Sequence, residues 1–316
     1  MKKVIVVITV FLCCICSTFS LAEETSNAEE TSKGKTTEKK SARSTMLFGQ
    51  PVNVNIGGGG TLPKGRALTI LNTSFADKTN AMNGGGKNPN VFSQTWLFKF
   101  RYGITDHLEL STVSPFVDMN RTPRPQHASK HLGGFGDQAV ALVIAPWNEH
   151  QGDPVSASLA VGVNFPTGGW GDSFVPGNGV WGTRIKAGIG KKITDDIKLD
   201  TEVAYGLPYT RGNQDVLRGE QFQWNAQARY LFNYFDIGIE SSLTVQNSGN
   251  RLSPTGGEVD MRNGYTDWFV GPSMNFPIDA LSMWAGAGVF FPVLQEFNGP
   301  TKAEGARFEF KIGKLW

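Results

Sequence analysis

The sequence contains little cysteine and little charge. Only 3 of its 316 residues are cysteine and 18% are charged, against roughly 25% in soluble domains, so the composition disfavours an ordinary soluble enzyme. The hydrophobic fraction of 40% excludes a disordered chain. The mean hydropathy of −0.22 excludes a bundle of transmembrane helices. The length fits either two domains or one large all-β barrel.

Residues 1–22 have the pattern of a secretory signal peptide. Two lysines precede an uncharged, largely apolar run, and small residues precede the expected cleavage after Ala22. The apolar run is shorter than the roughly 20 residues that a transmembrane anchor needs. All three cysteines (Cys13, Cys14 and Cys16) leave with this segment. The mature chain is therefore expected to have no disulfide, thiolate metal site or cysteine nucleophile.

Cleavage also balances the charge of the chain. Loss of Lys2 and Lys3 lowers the number of Lys and Arg residues from 30 to 28, which equals the 28 Asp and Glu residues. A net charge of zero disfavours nucleic acid as a partner.

Two further segments precede the first predicted strand. Residues 23–45 contain no apolar side chain larger than alanine, which predicts a disordered periplasmic tail because little surface can be buried to offset the ordering entropy. Residues 46–65 are rich in glycine. The sequence favours a flexible lead-in to the first strand here, with a plug as the alternative.

From residue 66 to the C-terminus, apolar and polar residues alternate with a period of two. Within residues 219–232, for example, Phe222 and Trp224 occupy one face while Gln223 and Asn225 occupy the other. This pattern predicts β-strands. Twelve strands are predicted: 66–77, 90–103, 107–120, 134–147, 155–166, 180–193, 197–209, 219–232, 235–247, 263–277, 281–294 and 302–316.

The lengths of the strands and of their connections indicate a membrane barrel. Most predicted strands exceed the five or six residues that are usual in soluble sheets. Short connections such as 104–106 alternate with long ones such as 248–262, as in outer-membrane barrels with short periplasmic turns and long outer loops. Open sheet edges cannot cross a membrane. We therefore predict that residues 66–316 form a closed antiparallel transmembrane β-barrel of about twelve strands, surrounded by outer-membrane lipid.

The last strand resembles the C-terminal sorting signal of bacterial outer-membrane proteins. Phe308, Phe310, Ile312 and Trp316 lie on one face at even spacing, although Lys314 interrupts the apolar series. The resemblance implies recognition by the barrel-assembly machinery and a location in the outer membrane of a Gram-negative bacterium.

In such a barrel the apolar face meets lipid and the charged face lines the lumen. The predicted lumen-lining charges are the bases Lys99, Arg101, Arg184, Lys186, Lys198, Arg229 and Lys311 and the acids Glu109, Asp200, Glu202, Glu240, Asp267 and Glu309. Strong ion selectivity requires one sign of charge to dominate. The near balance predicts either a weakly selective channel for small polar solutes or a lumen partly closed by ion pairs.

No catalytic or metal site is predicted. The four histidines (His107, His127, His131 and His150) fall in predicted turns or in an outer loop, and none lies mid-strand beside a serine, as hydrolytic catalysis would require. His127 and His131 are four residues apart but have no third ligand nearby in the sequence. We expect no enzyme activity, no cofactor and no metal.

Three phrases of the sequence, taken in order, resemble a known family. They are FKFRYGITDHLELSTVSPF (98–116), GFGDQAVALVIAP (134–146) and ASLAVGVNFPTGG (157–169). Together they resemble the outer-membrane family named "Putative MetA-pathway of phenol degradation", over about residues 65–316. The resemblance implies a barrel with a transport role.

Two functional hypotheses follow from this pattern. The first is a channel for passive passage of small solutes across the outer membrane, with hydrophobic or aromatic compounds among them. The second is a non-conducting structural or surface-binding barrel. The charged inner face and the family resemblance favour the channel, and the sequence does not identify the solute or the oligomeric state.

Overall fold

The structure is a computed structural model. It describes residues 59–78, 80–81, 91–121, 130–168, 176–212, 215–253, 257–298 and 302–316. The predicted signal peptide, the predicted tail, residues 46–58 and His127 lie outside the described residues.

The main element is one sheet of twelve long strands. They are β1 (Ala67–Lys78), β2 (Val91–Thr105), β3 (Leu108–Arg121), β4 in two parts (Lys130–Phe135 and Gln138–Trp147), β5 (Ser156–Phe165), β6 (Gly182–Lys192), β7 (Ile197–Pro208), β8 (Gln221–Leu231), β9 (Asp236–Gln246), β10 (Tyr265–Ile278), β11 (Met283–Phe297) and β12 (Arg307–Leu315). A 3₁₀ helix (Asp279–Leu281) joins β10 to β11. Among the described residues, no helix is long and apolar enough to cross a membrane.

The sheet closes on itself. Each strand pairs antiparallel with the next one in sequence, and β1 pairs with β12 from Leu68 opposite Leu315 to Ala76 opposite Arg307. Every strand is thus hydrogen-bonded on both sides, and no edge is left. This arrangement confirms the predicted closed antiparallel barrel of twelve strands.

Additional short strands lie in the long connections. Asn80–Ala81 pairs with Lys302–Ala303, and Val216–Leu217, Asn250–Leu252 and Glu258–Asp260 form a small three-stranded sheet. These pairings tie the long loops to one another outside the barrel wall.

Two predicted strand boundaries were wrong. The twelfth strand begins at Arg307 rather than at residue 302, because Arg307 turns back to the carboxylate of Glu304 and interrupts the alternation. The fourth begins at Lys130 rather than at residue 134, because the extended β3 offers it a pairing partner. His131 therefore lies in a strand, with its Nδ1 2.9 Å from Asn120 Oδ1, and not in a loop.

The two faces of the barrel wall differ sharply in polarity. On β9, for example, Ile237 and Ile239 are exposed on the outer face, whereas Asp236 and Glu240 are 0% exposed on the inner face. This inverts the arrangement of a water-soluble barrel and fits a lipid surrounding.

The first strand, β1, begins and the last strand, β12, ends on the side of the barrel where the connections between strands are short. Ala67 and Trp316 exchange backbone hydrogen bonds there, next to turns such as residues 193–196. We call this end the short-turn end and the opposite end the long-loop end. Because residues 59–66 lead into β1, they too belong to the short-turn end.

Candidate functional site

The inner wall contains the charged residues predicted to line a lumen. Seven of the thirteen are 5% exposed or less: Glu109, Asp200, Glu202, Arg229, Glu240, Glu309 and Lys311. The others are partly buried and share the inward phase of the strand register: Lys99, Arg101, Arg184, Lys186 and Asp267. Lys198, the remaining base, has its ammonium 3.2 Å from Asp200 Oδ2.

One guanidinium binds two carboxylates on the wall formed by β8, β9 and β10. Arg229 Nε donates to Asp236 Oδ1 at 2.6 Å, and Nη1 donates to Glu240 Oε1 at 2.6 Å and to Ser273 Oγ at 2.7 Å. Asn275 also donates to Asp236 Oδ1, at 3.0 Å. The side chains of all three charged residues are 0% exposed. Such a group is costly to break, because removing one member leaves buried charge unpaired.

A second polar cluster extends across β6, β7, β8 and β9. Lys186 Nζ lies 3.0 Å from Glu202 Oε2, and Asn225 Nδ2 donates to Glu202 Oε1 at 3.0 Å. Ser242 Oγ donates to Asn225 Oδ1 at 2.7 Å. Gln227 donates to Asp200 Oδ2 at 2.5 Å. The balance of acids and bases in the sequence therefore corresponds to direct pairing of neighbouring strands.

A third ion pair reaches the segment that precedes β1. Arg101 binds Glu109 through two bonds, Nε to Oε1 at 2.6 Å and Nη2 to Oε2 at 2.8 Å. The backbone N–H of Leu62 donates to Glu109 Oε2 at 2.9 Å, and Arg101 Nη2 donates to Gly60 O at 3.0 Å. Because Glu109 and Arg101 point into the barrel, residues 59–65 lie inside its short-turn end.

Further hydrogen bonds hold the same segment to two turns. Asn148, which is 0% exposed, accepts from Thr61 N at 3.1 Å and donates to Thr61 Oγ1 at 2.6 Å. Thr61 Oγ1 donates to Asp106 O at 2.9 Å, and Lys64 N donates to Asp106 Oδ1 at 2.8 Å. The backbone N–H groups of Thr61 and Lys64 and the hydroxyl of Thr61 thus attach the segment to these turns.

Apolar packing and close backbone approach complete this end of the barrel. Leu62 is 3% exposed and packs with Leu68, Trp284 and Leu315. A β-carbon added to Gly59 would lie 2.5 Å from the backbone N of Gly190. Only glycine permits such an approach, which explains the use of glycine where the segment crosses the inner wall.

The inner wall nearer the long-loop end is richer in apolar side chains on one side than on the other. On β2, β3 and β4 the register aligns Leu97 with Pro115, and Lys99 with Val113 and Ala139. The opposite strands β8, β9 and β10 present Gln221, Gln223, Thr244, Gln246, Tyr265 and Asp267. A solute inside would therefore meet apolar surface on one side and hydrogen-bonding groups on the other.

The arginines of the inner wall differ in their partners. Among the described residues, Arg101, Arg229 and Arg307 each contact a carboxylate, whereas Arg184 donates to the amide oxygen of Gln223. Arg307 also lies over the ring of Phe269, 4.2 Å from its centroid. Of these four cations, Arg184 is the one whose charge is not matched by a bonded carboxylate.

The sequence-based list omitted some members of these clusters. Asp236 lies on the polar face of the predicted strand 235–247, in phase with Glu240, but it was not included among the lumen-lining charges. Asn72 and Asn275 are 0% exposed, and uncharged side chains were not considered. Arg307 is in phase with Glu309 and Lys311 within the predicted strand 302–316 but was also not included, and Glu304 has the opposite phase there.

The described histidines are apart from the ion-pair clusters. His107 Nδ1 lies 2.9 Å from Ala145 O in a short turn, and His131 Nδ1 lies 3.4 Å from Asp118 Oδ1 at the long-loop end. Within the described part of the chain, no three His, Cys, Asp or Glu side chains are arranged to hold a metal ion.

The residues predicted as a sorting signal lie on the outer face. Phe308, Phe310, Ile312 and Trp316 are all between 40% and 59% exposed. Lys314 shares this face, and its Nζ lies 4.1 Å from the centroid of the Trp316 ring. A lysine beside a terminal aromatic ring is compatible with the membrane interface, where its ammonium reaches water.

Comparison with solved structures supports the fold. An outer membrane channel from Pseudomonas putida F1 superposes with a TM-score of 0.68 at 15% identity, covering 84% of this chain and 100% of that chain. The NanC porin matches with a TM-score of 0.47 at 10% identity, covering 77% of this chain and 98% of that chain. The CymD monoaromatic hydrocarbon channel matches with a TM-score of 0.45 at 10% identity, covering 81% of this chain and 89% of that chain. A comparison with curated proteins found no match.

The family comparison covers most of the barrel. The model of the family described as "Putative MetA-pathway of phenol degradation" matches residues 76–312. The match includes all three phrases that carried the resemblance in the sequence. The chain therefore belongs to this outer-membrane β-barrel family.

Proposed function

We propose that the protein is a passive outer-membrane channel for small solutes with substantial apolar surface, hydrophobic or aromatic compounds among them. The observation that carries this proposal is the divided inner wall near the long-loop end, with Leu97, Val113 and Pro115 facing the polar strands β8–β10. An apolar solute loses little by leaving water for such a wall, since burial of apolar surface is favourable. No chemical step is part of this proposal.

We further propose that residues 59–65 act as a plug at the short-turn end, which we take to face the periplasm. The support is their backbone hydrogen bonding to Glu109, Asn148 and Asp106 inside the barrel. The thirteen predicted inward charges, together with Asp236, are proposed as the polar part of the lumen wall. Their pairing keeps the wall nearly neutral, which favours uncharged solutes over ions.

The route to the membrane completes the proposal. Residues 1–22 would direct export in a Gram-negative bacterium and be cleaved, and residues 23–45 would form a periplasmic tail. The last strand, with Phe308, Phe310, Ile312 and Trp316, would be bound by the barrel-assembly machinery. The support is the signal-like N-terminus of the sequence and the apolar outer face of β12.

The function is tested by reconstituting residues 23–316 in lipid vesicles and in planar bilayers. We expect uptake of a small aromatic such as benzyl alcohol to exceed uptake of a sugar of similar size, with small ionic conductance steps. The double variant Arg184→Glu and Lys186→Glu should shift the reversal potential toward cations, because it reverses two inward charges. A folded barrel that takes up no solute and never conducts, even after deletion of residues 46–65, would refute the channel and favour a structural role.

A further inference from the structure

The GFGD and PTG phrases of the sequence meet at the long-loop end of the barrel. Asp137 stands between the two parts of β4. Its Oδ1 accepts from Gly168 N at 3.1 Å, and its Oδ2 accepts from Asn178 N at 2.6 Å and from Gly179 N at 3.1 Å. Gly177 N donates to Gly168 O at 3.0 Å. One carboxylate therefore fastens both arms of the connection between β5 and β6.

The arm formed by residues 176–179 lies against the inner surface of the wall. Gly134 pairs with Val117, which has the inward phase of β3. A β-carbon added to Gly134 would lie 3.0 Å from Pro176 Cγ. A β-carbon added to Gly136 would lie 3.0 Å from Pro115 Cγ and 3.3 Å from Pro176 O. The arm thus covers the inner face of β4 beside Pro115, at the top of the apolar side of the wall.

The carboxylate is suited to this task because its partners among the described residues are backbone N–H groups. Hydrogen bonds to an ionised acceptor are stronger than neutral ones, and three of them converge on this side chain. Thr167 adds a bond from Gln138 N to its Oγ1 at 3.0 Å, which fixes the start of the same connection. The arm has no comparable ionic anchor in its own sequence, because residues 176–179 are Pro, Gly, Asn and Gly.

We infer that Asp137 is a positioning residue that determines how easily solutes reach the apolar wall from the long-loop end. Its carboxylate holds residues 176–179 inward over Pro115, and loss of that charge lets the arm move away and widens the opening. The inference rests on the proposed channel function. It assigns to the GFGD and PTG phrases a role that the barrel fold alone does not require.

The test uses a reporter that does not depend on transport. Val113→Cys places a thiol on the inner wall one inward position deeper than Pro115, in a mature chain expected to have no other cysteine. The full-length protein is expressed in a bacterial outer membrane, and a membrane-impermeant maleimide is added outside. Asp137→Asn keeps the size of the side chain but replaces an acceptor by an N–H donor facing the backbone N–H groups. Asp195→Asn in an exposed short turn is the matched control.

Labelling should be at least about tenfold faster in Asp137→Asn than in the parent. A tenfold change in an equilibrium corresponds to about 1.4 kcal/mol, which is slightly less than a single hydrogen bond to a charged group contributes. The control should label at the parental rate. Equal rates in Asp137→Asn, Asp137→Ala and the parent, with all barrels folded by heat-modifiable migration, would overturn the inference.

A covalent replacement separates positioning from general destabilisation. Because the Pro176 ring contacts the β-carbon position of Gly134, Gly134→Cys with Pro176→Cys places two cysteines on neighbouring segments, and mass spectrometry establishes that they form the disulfide. In the Asp137→Asn chain, with labelling at position 113 followed separately by mass spectrometry of its peptide, oxidation of this pair should restore slow labelling there and reduction should abolish the rescue. Fast labelling despite the disulfide would refute the inference. If the labelling rates respond as expected but vesicles take up no aromatic solute, the proposed function fails while the role of Asp137 stands.

Discussion

The attachment of residues 59–65 can be weakened at one side chain without touching an ion pair. Asn148→Ala removes two hydrogen bonds to Thr61, at 3.1 and 2.6 Å. Neutral hydrogen bonds of this kind contribute about 1 kcal/mol each, so the bound state of the segment should lose about 2 kcal/mol. This loss corresponds to a roughly 30-fold larger ratio of released to bound segment.

Single-channel recording of residues 23–316 measures that ratio as the fraction of time spent conducting. Asn148→Ala should raise it, whereas Asn298→Ala, which removes a bond to Ser248 at the opposite end, should not. Thr61→Val should have a similar effect, and the double variant should fall short of the sum because the two residues share a bond. If Asn148→Ala leaves the conducting fraction unchanged while deletion of residues 46–65 raises it, the hydrogen bonds named here do not hold the segment.

Three further predictions concern stability and packing. Arg229→Gln should lower the free energy of unfolding by about 3–5 kcal/mol, because it leaves two buried carboxylates without their guanidinium. A denaturant titration followed by tryptophan fluorescence measures this loss. The control Arg262→Gln, at an exposed position, should change the free energy of unfolding little, and equal losses in the two variants would contradict the reasoning. Burial raises the pKa of Glu149 above its ordinary value, although the backbone N–H of Lys192, which donates to its carboxylate, opposes this. The wild type should therefore lose stability relative to Glu149→Gln as the pH rises from about 4 to neutrality. A pH-independent difference between their unfolding midpoints would refute this reasoning. Gly103→Val should displace residues 59–65, because even a β-carbon at this position overlaps the carbonyl of Pro63. Faster proteolysis within this segment would show the displacement. Gly257→Val, at a position surrounded by open space, is the control.

The sequence predicts the wall of this barrel well because the wall obeys a local rule. Side chains two residues apart share a face, so the inward phase of Arg229 and Glu240 follows from the alternation alone. The side-chain contacts between neighbouring strands cannot be predicted from this rule. Whether Arg229 meets Asp236 or another acid depends on the register of β8 and β9, which the alternation of either strand leaves undetermined.

The segment before β1 shows a second limit of local patterns. Gly59 and Gly60 have no periodicity, so the sequence favours a flexible lead-in. Their position depends on Asn148 and Glu109, which lie far along the chain, and on the absence of a side chain at Gly59. The close contacts of a glycine backbone depend on the absence of a side chain, and a pattern of apolar and polar side chains does not reveal them.

The chemistry of the interior distinguishes a part that is joined by ion pairs from a part that is not. Opening the Arg229 cluster would expose buried charge, at a cost of several kcal/mol for each broken pair. Residues 59–65 are held by hydrogen bonds and by packing of Leu62, and none of the ion pairs described above has a member in this segment. Release of the segment therefore breaks no ion pair, whereas opening the Arg229 cluster separates Arg229 from two carboxylates. We infer that the ion pairs form a fixed lining and that passage at the short-turn end depends on displacement of residues 59–65.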